Sequence, residues 1–431
     1  PDYQFEQYDL AGSENWKAEL RTYSTALQAS MEPATGPLFK VALFQLAEKD
    51  GVLLAIHHLL VDGVSWRILL EDLNSLYQGL QAGLPVQLPA KTDAFLSWAQ
   101  ALQSYAQSAE LKAERRYWSD VLDQQVDPIG QTRDRSLLGQ GELRTATFSL
   151  GRQEVEQLVT KTHRAYNTEI NDILLTALGL SLGQVFDAER VCIELEGHGR
   201  ENILPEQDIT RTVGWFTSIF PLVLPTGRGG KTTVETLIEV KESLRKLPNK
   251  GVGFGILQAF DGGFTKNVES AVLFNYLGDF GTSEEGGQQA FRASAEDSGP
   301  AVALENLLQD PRLHINALLS DGHLQVDLSY NDRAFDPAQI AALSTAYAQI
   351  LPVLIRDLSS QTETYLTPSD LTYPHLPMAA LAALNTEGLL EDVYRLSPLQ
   401  QGIFYHWLSG SSAASAYLTQ RSYRLELAGL E

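Results

Sequence analysis

Apolar residues recur along this chain in two periods, and the change from one to the other marks out its elements. In "FKVALFQLAEKDGVLLAIHHLLVDG" (39–63) two apolar runs flank "EKDG", which predicts a hairpin with its turn at Asp50-Gly51. "SWRILLEDLNSLYQGLQAG" follows, with Ile68, Leu69, Leu73, Leu76 and Tyr77 on one helical stripe and Gly83 closing it. The pattern from 95 to 122 reads as one long helix. The polar, Gly-containing stretch 123–142 then separates it from "LRTATFSLG", which alternates like a strand.

Beyond that stretch the chain reads as helix over "GRQEVEQLVTKTHRAYN" and again over "TEINDILLTALGLSLGQVF", with Asn171 near the start of the second. Strands are expected in "RVCIELEGHGRE", "SIFPLVLP", "SAVLFNYLGDF" and "PRLHINALLSDGHLQVDLSYN", the last turning at Asp321-Gly322. "DPAQIAALSTAYAQILPVLIRDL" is a closing helix. The mixture predicts an α/β or α+β fold in two subdomains: 1–126, a connector 127–141, and 142–365. Residues 366–393 open with the Pro-rich, extended "LTPSDLTYPHLP" and read as a linker. Residues 394–431 carry a further helix and an alternating, strand-like ending.

Composition narrows the function classes. The 431 residues exceed one ordinary core. A net charge of −22, from 54 acidic and 32 basic residues, disfavours nucleic acid and anionic membranes as partners. An acidic protein partner would need local patches such as "KESLRKLPNK" (241–250). No apolar run reads as a membrane span, and the first residues lack the pattern of a signal peptide. With Cys192 alone there is no internal disulfide, so a cytoplasmic location is the default expectation.

Several short strings carry candidate chemistry. In "HHLLVDG" (57–63) neighbouring side chains on a strand face opposite ways, so both imidazoles do not easily serve one site. Three readings stand. The histidines pack beside an Asp62-Gly63 turn, they bind metal with Asp62, or one is a general base whose loop Asp62 holds. "ELEGHGRE" (194–201) ends a strand at Glu196, with glycines flanking His198. It is either a charged turn or a cleft carboxylate whose proton affinity burial would raise. "RTVGWFTSIFPLVLP" reads as core, while Asn275 and Tyr276 in "LFNYLGDF" are either structural or active-site donors. "PTGRGGKTT" is no phosphate loop, because Pro225 stands where its first glycine belongs, and "KGVGFGIL" lacks the dinucleotide spacing.

Taken in order, "HHLLVDGVSWRIL", "NDILLTALG", "EGHGRE", "RTVGWFTSIFPLVL", "KGVGFGIL" and "FNYLGDF" resemble the motif series of epimerization domains from nonribosomal peptide synthetases, over about residues 1–365. The His-His pattern is shared with condensation domains and chloramphenicol acetyltransferase; "EGHGRE" and "FNYLG" resemble the epimerization branch. The resemblance implies two chloramphenicol-acetyltransferase-like α/β subdomains in a V, with a tunnel at their junction. It also implies inversion at Cα of an aminoacyl or peptidyl thioester held on the phosphopantetheine arm of a carrier protein. No cofactor or metal is expected in the domain itself, and the expected partners are a carrier protein domain and neighbouring synthetase modules.

Inversion removes a proton from one face of a carbon and returns one to the other, which suits two opposed acid/base groups. By the resemblance these are His58 and Glu196. His57 then points into packing, Asp62 and Gly63 shape the loop, and Arg200 pairs with Asp62. Tyr276, with Asn275 nearby, and the helix start near Ser65 are candidate donors to the enolate oxygen. "VYRLSPLQQGIFYHWL" and "YLTQRSYRLELAGLE" resemble the opening of a following condensation domain. The family's own opening motif is missing before Pro1, so residues 394–431 are expected to fill that place, within one chain or swapped between two. A condensation enzyme, which needs only the His pair, and a non-catalytic carrier-docking domain are the competing readings.

Overall fold

The computed structural model describes residues 3–132, 134–266, 270–279, 291, 294, 296–299, 308–386, 388–408 and 422. The chain divides into two compact units, Pro1–Thr364 and Tyr365–Glu431. The second contains a 3-10 turn Pro368–Asp370 and helices Met378–Leu384 and Pro398–Leu408. The strand expected at its end lies outside the described residues, as does much of the stretch expected to exchange places.

In the first unit, strands β1 (Gln4–Asp9), β2 (Phe39–Gln45) and β3 (Asp50–Ile56) form one sheet in that order, β1 parallel and β3 antiparallel to β2. Strict alternation buries Lys40, Ala42 and Phe44 on one face, where Phe44 and Ala42 meet Leu20 and Leu27 of the helix Trp16–Ala29. The hairpin is present, but Asp50 and Gly51 already pair with Gln45 and Phe44, so the reversal falls at residues 46–49. The expected long helix is two, Phe95–Tyr105 and Ala109–Leu122. Ser108 caps the second by accepting from the Leu111 amide at 3.1 Å, a local bond that competes with helix continuation.

The larger sheet comprises β4 (Leu143–Leu150), β5 (Arg190–Gly197), β6 (Ser218–Pro225), β7 (Val272–Asp279), β8 (Leu313–Ser320) and β9 (His323–Asn331), in the order β4-β9-β8-β7-β5-β6. Asp321 and Gly322 both take positive φ, 51° and 72°, and close the β8–β9 hairpin as expected. One face of this sheet is apolar (Ile193, Leu195, Phe274, Ile315, Leu328) and belongs to a core shared with the helices Ile170–Phe186 and Pro337–Ser359. Period-2 alternation therefore sends Glu194, Glu196, Asn275, His314, Asp327 and Ser329 to the other face.

Two expectations need correction here. Pro337–Ser359 is long and apolar enough to cross a membrane, contrary to the reading that no such run exists; its Leu343, Tyr347, Leu351 and Ile355 are buried in the core. In the basic stretch 241–250, Lys241 is buried with its ammonium donating to the Tyr166 carbonyl, and Arg245 binds Asp172, so neither supplies a surface patch.

Trp118 on Ala109–Leu122 is fully buried against Phe220 and Phe254, joining that helix to the large-sheet core. Trp118→Ala is expected to lower the unfolding free energy by about 3–5 kcal/mol in urea titrations. Leu80→Ala, at a side chain that is 75% exposed, changes it by less than about 0.5 kcal/mol.

Candidate active site

After β3 the chain turns sharply. The His57 amide donates to the Leu38 carbonyl at 2.9 Å, its Nδ1 accepts from the Leu59 amide at 3.2 Å, and the Leu60 amide donates to its carbonyl at 2.9 Å. His57 is thus half-buried and holds the turn, while the same turn exposes His58, whose ring lies 5.1 Å from that of Trp215. No described residue hydrogen-bonds the His58 imidazole, which leaves its nitrogens available. Among the described residues no group of three or more His, Cys, Asp and Glu is placed to hold a metal.

Asp62 caps the helix Gly63–Gln81, its Oδ1 accepting from the Ser65 amide at 2.7 Å. Its carboxylate also receives Arg200 Nη2, at 3.0 Å to Oδ1 and 3.1 Å to Oδ2, and the Phe216 amide at 3.2 Å. Arg200 donates through Nη1 to the carbonyls of Ile209 and Thr212, at 3.0 and 2.8 Å, and stacks 4.0 Å over the Phe216 ring. Ser65 Oγ donates to the Gly214 carbonyl and accepts from the Gly214 amide and from Arg200. The hydroxyl and amide of Ser65 are both engaged in holding the helix start. Gly199 is required where it stands: φ is +66°, and a Cβ there would lie 1.6 Å from the Phe216 carbonyl oxygen.

Glu196 lies near the end of β5 on the polar face of the large sheet. Asn275, on the neighbouring β7, donates its Nδ2 to Glu196 Oε2 at 2.6 Å. Burial pushes the carboxyl's proton affinity up, opposed by the charges of His314, His58 and Arg312 and reinforced by Glu194. The site thus presents an exposed imidazole and a half-buried carboxyl of raised proton affinity.

Tyr276 does not join them. Strand alternation puts it on the face opposite Asn275, where it packs against the core and lines a cavity of about 380 Å³ with Leu158, His163, Thr168 and Asn171. Burial there pushes its hydroxyl up to about 12. Tyr276, expected as a candidate donor to the enolate oxygen, thus lies on the sheet face opposite Asn275 and Glu196. His198 supports the turn after β5, its Nδ1 accepting from the Arg200 amide at 3.0 Å.

Sequence reasoning overlooked His314, Arg312 and Asp310, which share the polar face with Glu196. Their signal was present in "DPRLHINALL", where polar residues at alternate positions of an otherwise buried strand mark a functional face.

The profile described as "Condensation domain" matches residues 2–376. Bacitracin synthase 3 of Bacillus licheniformis is 34% identical over 97% of this chain and 7% of its own length. Gramicidin S synthase 1 of Brevibacillus brevis is 36% identical over 87% of this chain and 35% of its own. The chain therefore spans a minor part of the curated relatives it matches. Among solved structures, the epimerization domain from the third module of tyrocidine synthetase B superposes with a TM-score of 0.75 at 36% identity, covering 83% of this chain and 81% of that one. The first condensation domain of the CDA synthetase shares the fold, with a TM-score of 0.57 at 19% identity, over 83% of this chain and 76% of that one. The α/β class with chloramphenicol-acetyltransferase-like architecture expected from the motifs is the fold observed.

Removing Arg200 leaves Asp62 charged and buried. Arg200→Met is expected to cost about 3–5 kcal/mol in denaturant titrations, with much of the loss recovered in Asp62→Asn/Arg200→Met. Equal stability of wild type and Arg200→Met would show that the pair does not hold the two segments together.

Proposed function

This chain belongs to the condensation domain family, and from that premise we propose that it epimerises the Cα of an aminoacyl or peptidyl thioester carried on the phosphopantetheine arm of a carrier protein. The observation that carries the reading is Glu196: a half-buried carboxyl of raised proton affinity, oriented by Asn275, with the charge of the exposed His58 among those acting on it. Condensation chemistry has no need of that second group. The likeness to an epimerization domain at 36% identity points the same way.

One group takes the Cα proton, and the bonding pair passes into the thioester carbonyl as an enolate. The other returns a proton to the opposite face, restoring the C–H bond with inverted configuration and no net change in composition. The two then stand in exchanged protonation states, and proton exchange with solvent resets them. Arg200, Asp62 and Ser65 touch no reacting atom in this scheme; they hold the His58 and Trp215 loops in place. The synthetase relatives support a carrier domain and neighbouring modules as partners. Condensation remains the second reading, because the family whose profile matches is described as a condensation domain.

A carrier loaded with an L-aminoacyl pantetheine thioester, incubated in heavy water, is expected to gain deuterium at Cα while D-isomer accumulates. Peptide formation with a second loaded carrier, without exchange, would favour condensation instead. Glu196→Gln is expected to slow exchange by about 10²–10⁴-fold with carrier affinity unchanged; loss of both would make Glu196 structural. Where Glu196 is the group that takes the Cα proton, its raised proton affinity makes exchange fall on acidification at a pH above the ordinary carboxylate value of about 4.3. A rate profile flat down to that value would remove Glu196 as the group that takes the proton.

A further inference from the structure

The short segment from Trp215 to Ile219 joins the two sides of the site. At one end the Trp215 ring lies 5.1 Å from that of His58, tilted by 59°. At the other, Ile219 is the direct partner of Glu196 in the antiparallel ladder of β5 and β6. Opposed residues of such a pair project from the same face, so the Ile219 side chain stands beside that of Glu196. Four residue steps span about 14 Å at most, so both proton carriers border one short stretch of backbone.

The segment is sorted by burial. Phe216 and Phe220 are buried, whereas Trp215 is 42% exposed and Ile219 is 37% exposed. The backbone on both sides of Trp215 is pinned. Ser65 Oγ holds the amide and the carbonyl of Gly214, and the Phe216 amide donates to Asp62 Oδ2. The Phe216 ring packs against Phe95 and Trp98, so the core position here is already filled. The exposed indole is therefore a fixed feature of the site. No residue from 215 to 219 carries a charge. Such a surface gains when an apolar group covers it, while a charged group laid on it loses hydration and meets no partner.

We propose that Trp215 and Ile219 are specificity residues, forming the wall on which the side chain of the substrate's Cα rests, and that they select an apolar aminoacyl group over a charged one. This rests on the reading of His58 and Glu196 as the two proton carriers. A Cα reached by both must lie beside the segment that borders both. Of its substituents the nitrogen and the thioester carbonyl are polar, so the side chain is the one that suits an apolar wall. Trp215 supplies that wall on the His58 side and Ile219 on the Glu196 side.

The test gives the full chain two pantetheine thioesters of similar size, L-leucyl and L-aspartyl, in heavy water. The kcat/KM for deuterium entry at Cα is expected to favour leucyl by about tenfold. Trp215→Ser and Ile219→Ser each bring that ratio towards unity, and Trp215→Phe preserves it. A merely structural defect slows both substrates alike and leaves the ratio where it was. Equal rates for the two in the wild type overturn the proposal and leave the epimerase reading standing. A ratio unchanged in either folded Ser variant also overturns it, and if one variant fails to fold the other carries the test. Binding is measured in parallel by calorimetry, with an amide in place of each thioester. The leucyl compound is expected to bind more tightly, by a margin that Trp215→Ser reduces; equal affinities overturn the proposal. A binding preference in a protein whose wild type exchanges neither thioester removes the epimerase reading and leaves the apolar wall in place.

Discussion

The site depends on one buried ion pair. Arg200 comes from the turn after β5, Asp62 from the cap of a helix that follows the small sheet, and 138 positions separate them in sequence. Neither charge can be left alone in that interior, so the two segments are held to each other by the cost of parting them. Further bonds settle on the same point: Asp62 takes the Ser65 and Phe216 amides, and Ser65 binds both polar groups of Gly214. The His58 loop and the Trp215 loop consequently share one anchor, although neither His58 nor Trp215 contributes to it.

On the opposite side of the site the constraint is the pleat of the large sheet. Its helix-facing side is filled by apolar residues, and alternation leaves the other side to polar ones. A carboxylate placed there loses hydration, and Glu196 responds with raised proton affinity. Asn275 fixes the orientation of that carboxyl through its Nδ2 hydrogen bond.

Much of the fold was legible because burial obliges the side chains to declare it. Alternation announced β4, β8 and β9, and the Asp321-Gly322 turn announced the hairpin of the last two. The misreadings were local. Ser108 interrupts a helical stripe that continues on both sides of it, because one side-chain oxygen outcompetes a backbone carbonyl for an amide. Asp50-Gly51 reads as a turn, yet the ladder extends through both residues.

The candidate site divides along a similar line. The sequence by itself determined the chemical repertoire: His58 at a strand's end, Glu196 before a glycine-flanked turn, and Asp62 opening a helix, each recognisable from its neighbours. Only the tertiary structure decided which of these groups meet. It joined Arg200 to Asp62, set Asn275 against Glu196, and turned Tyr276 to the far face. The reason is that a strand's alternation fixes which residues share a face, whereas strand order and register fix which of them are neighbours. Those are set by the packing of distant segments, which no local pattern encodes.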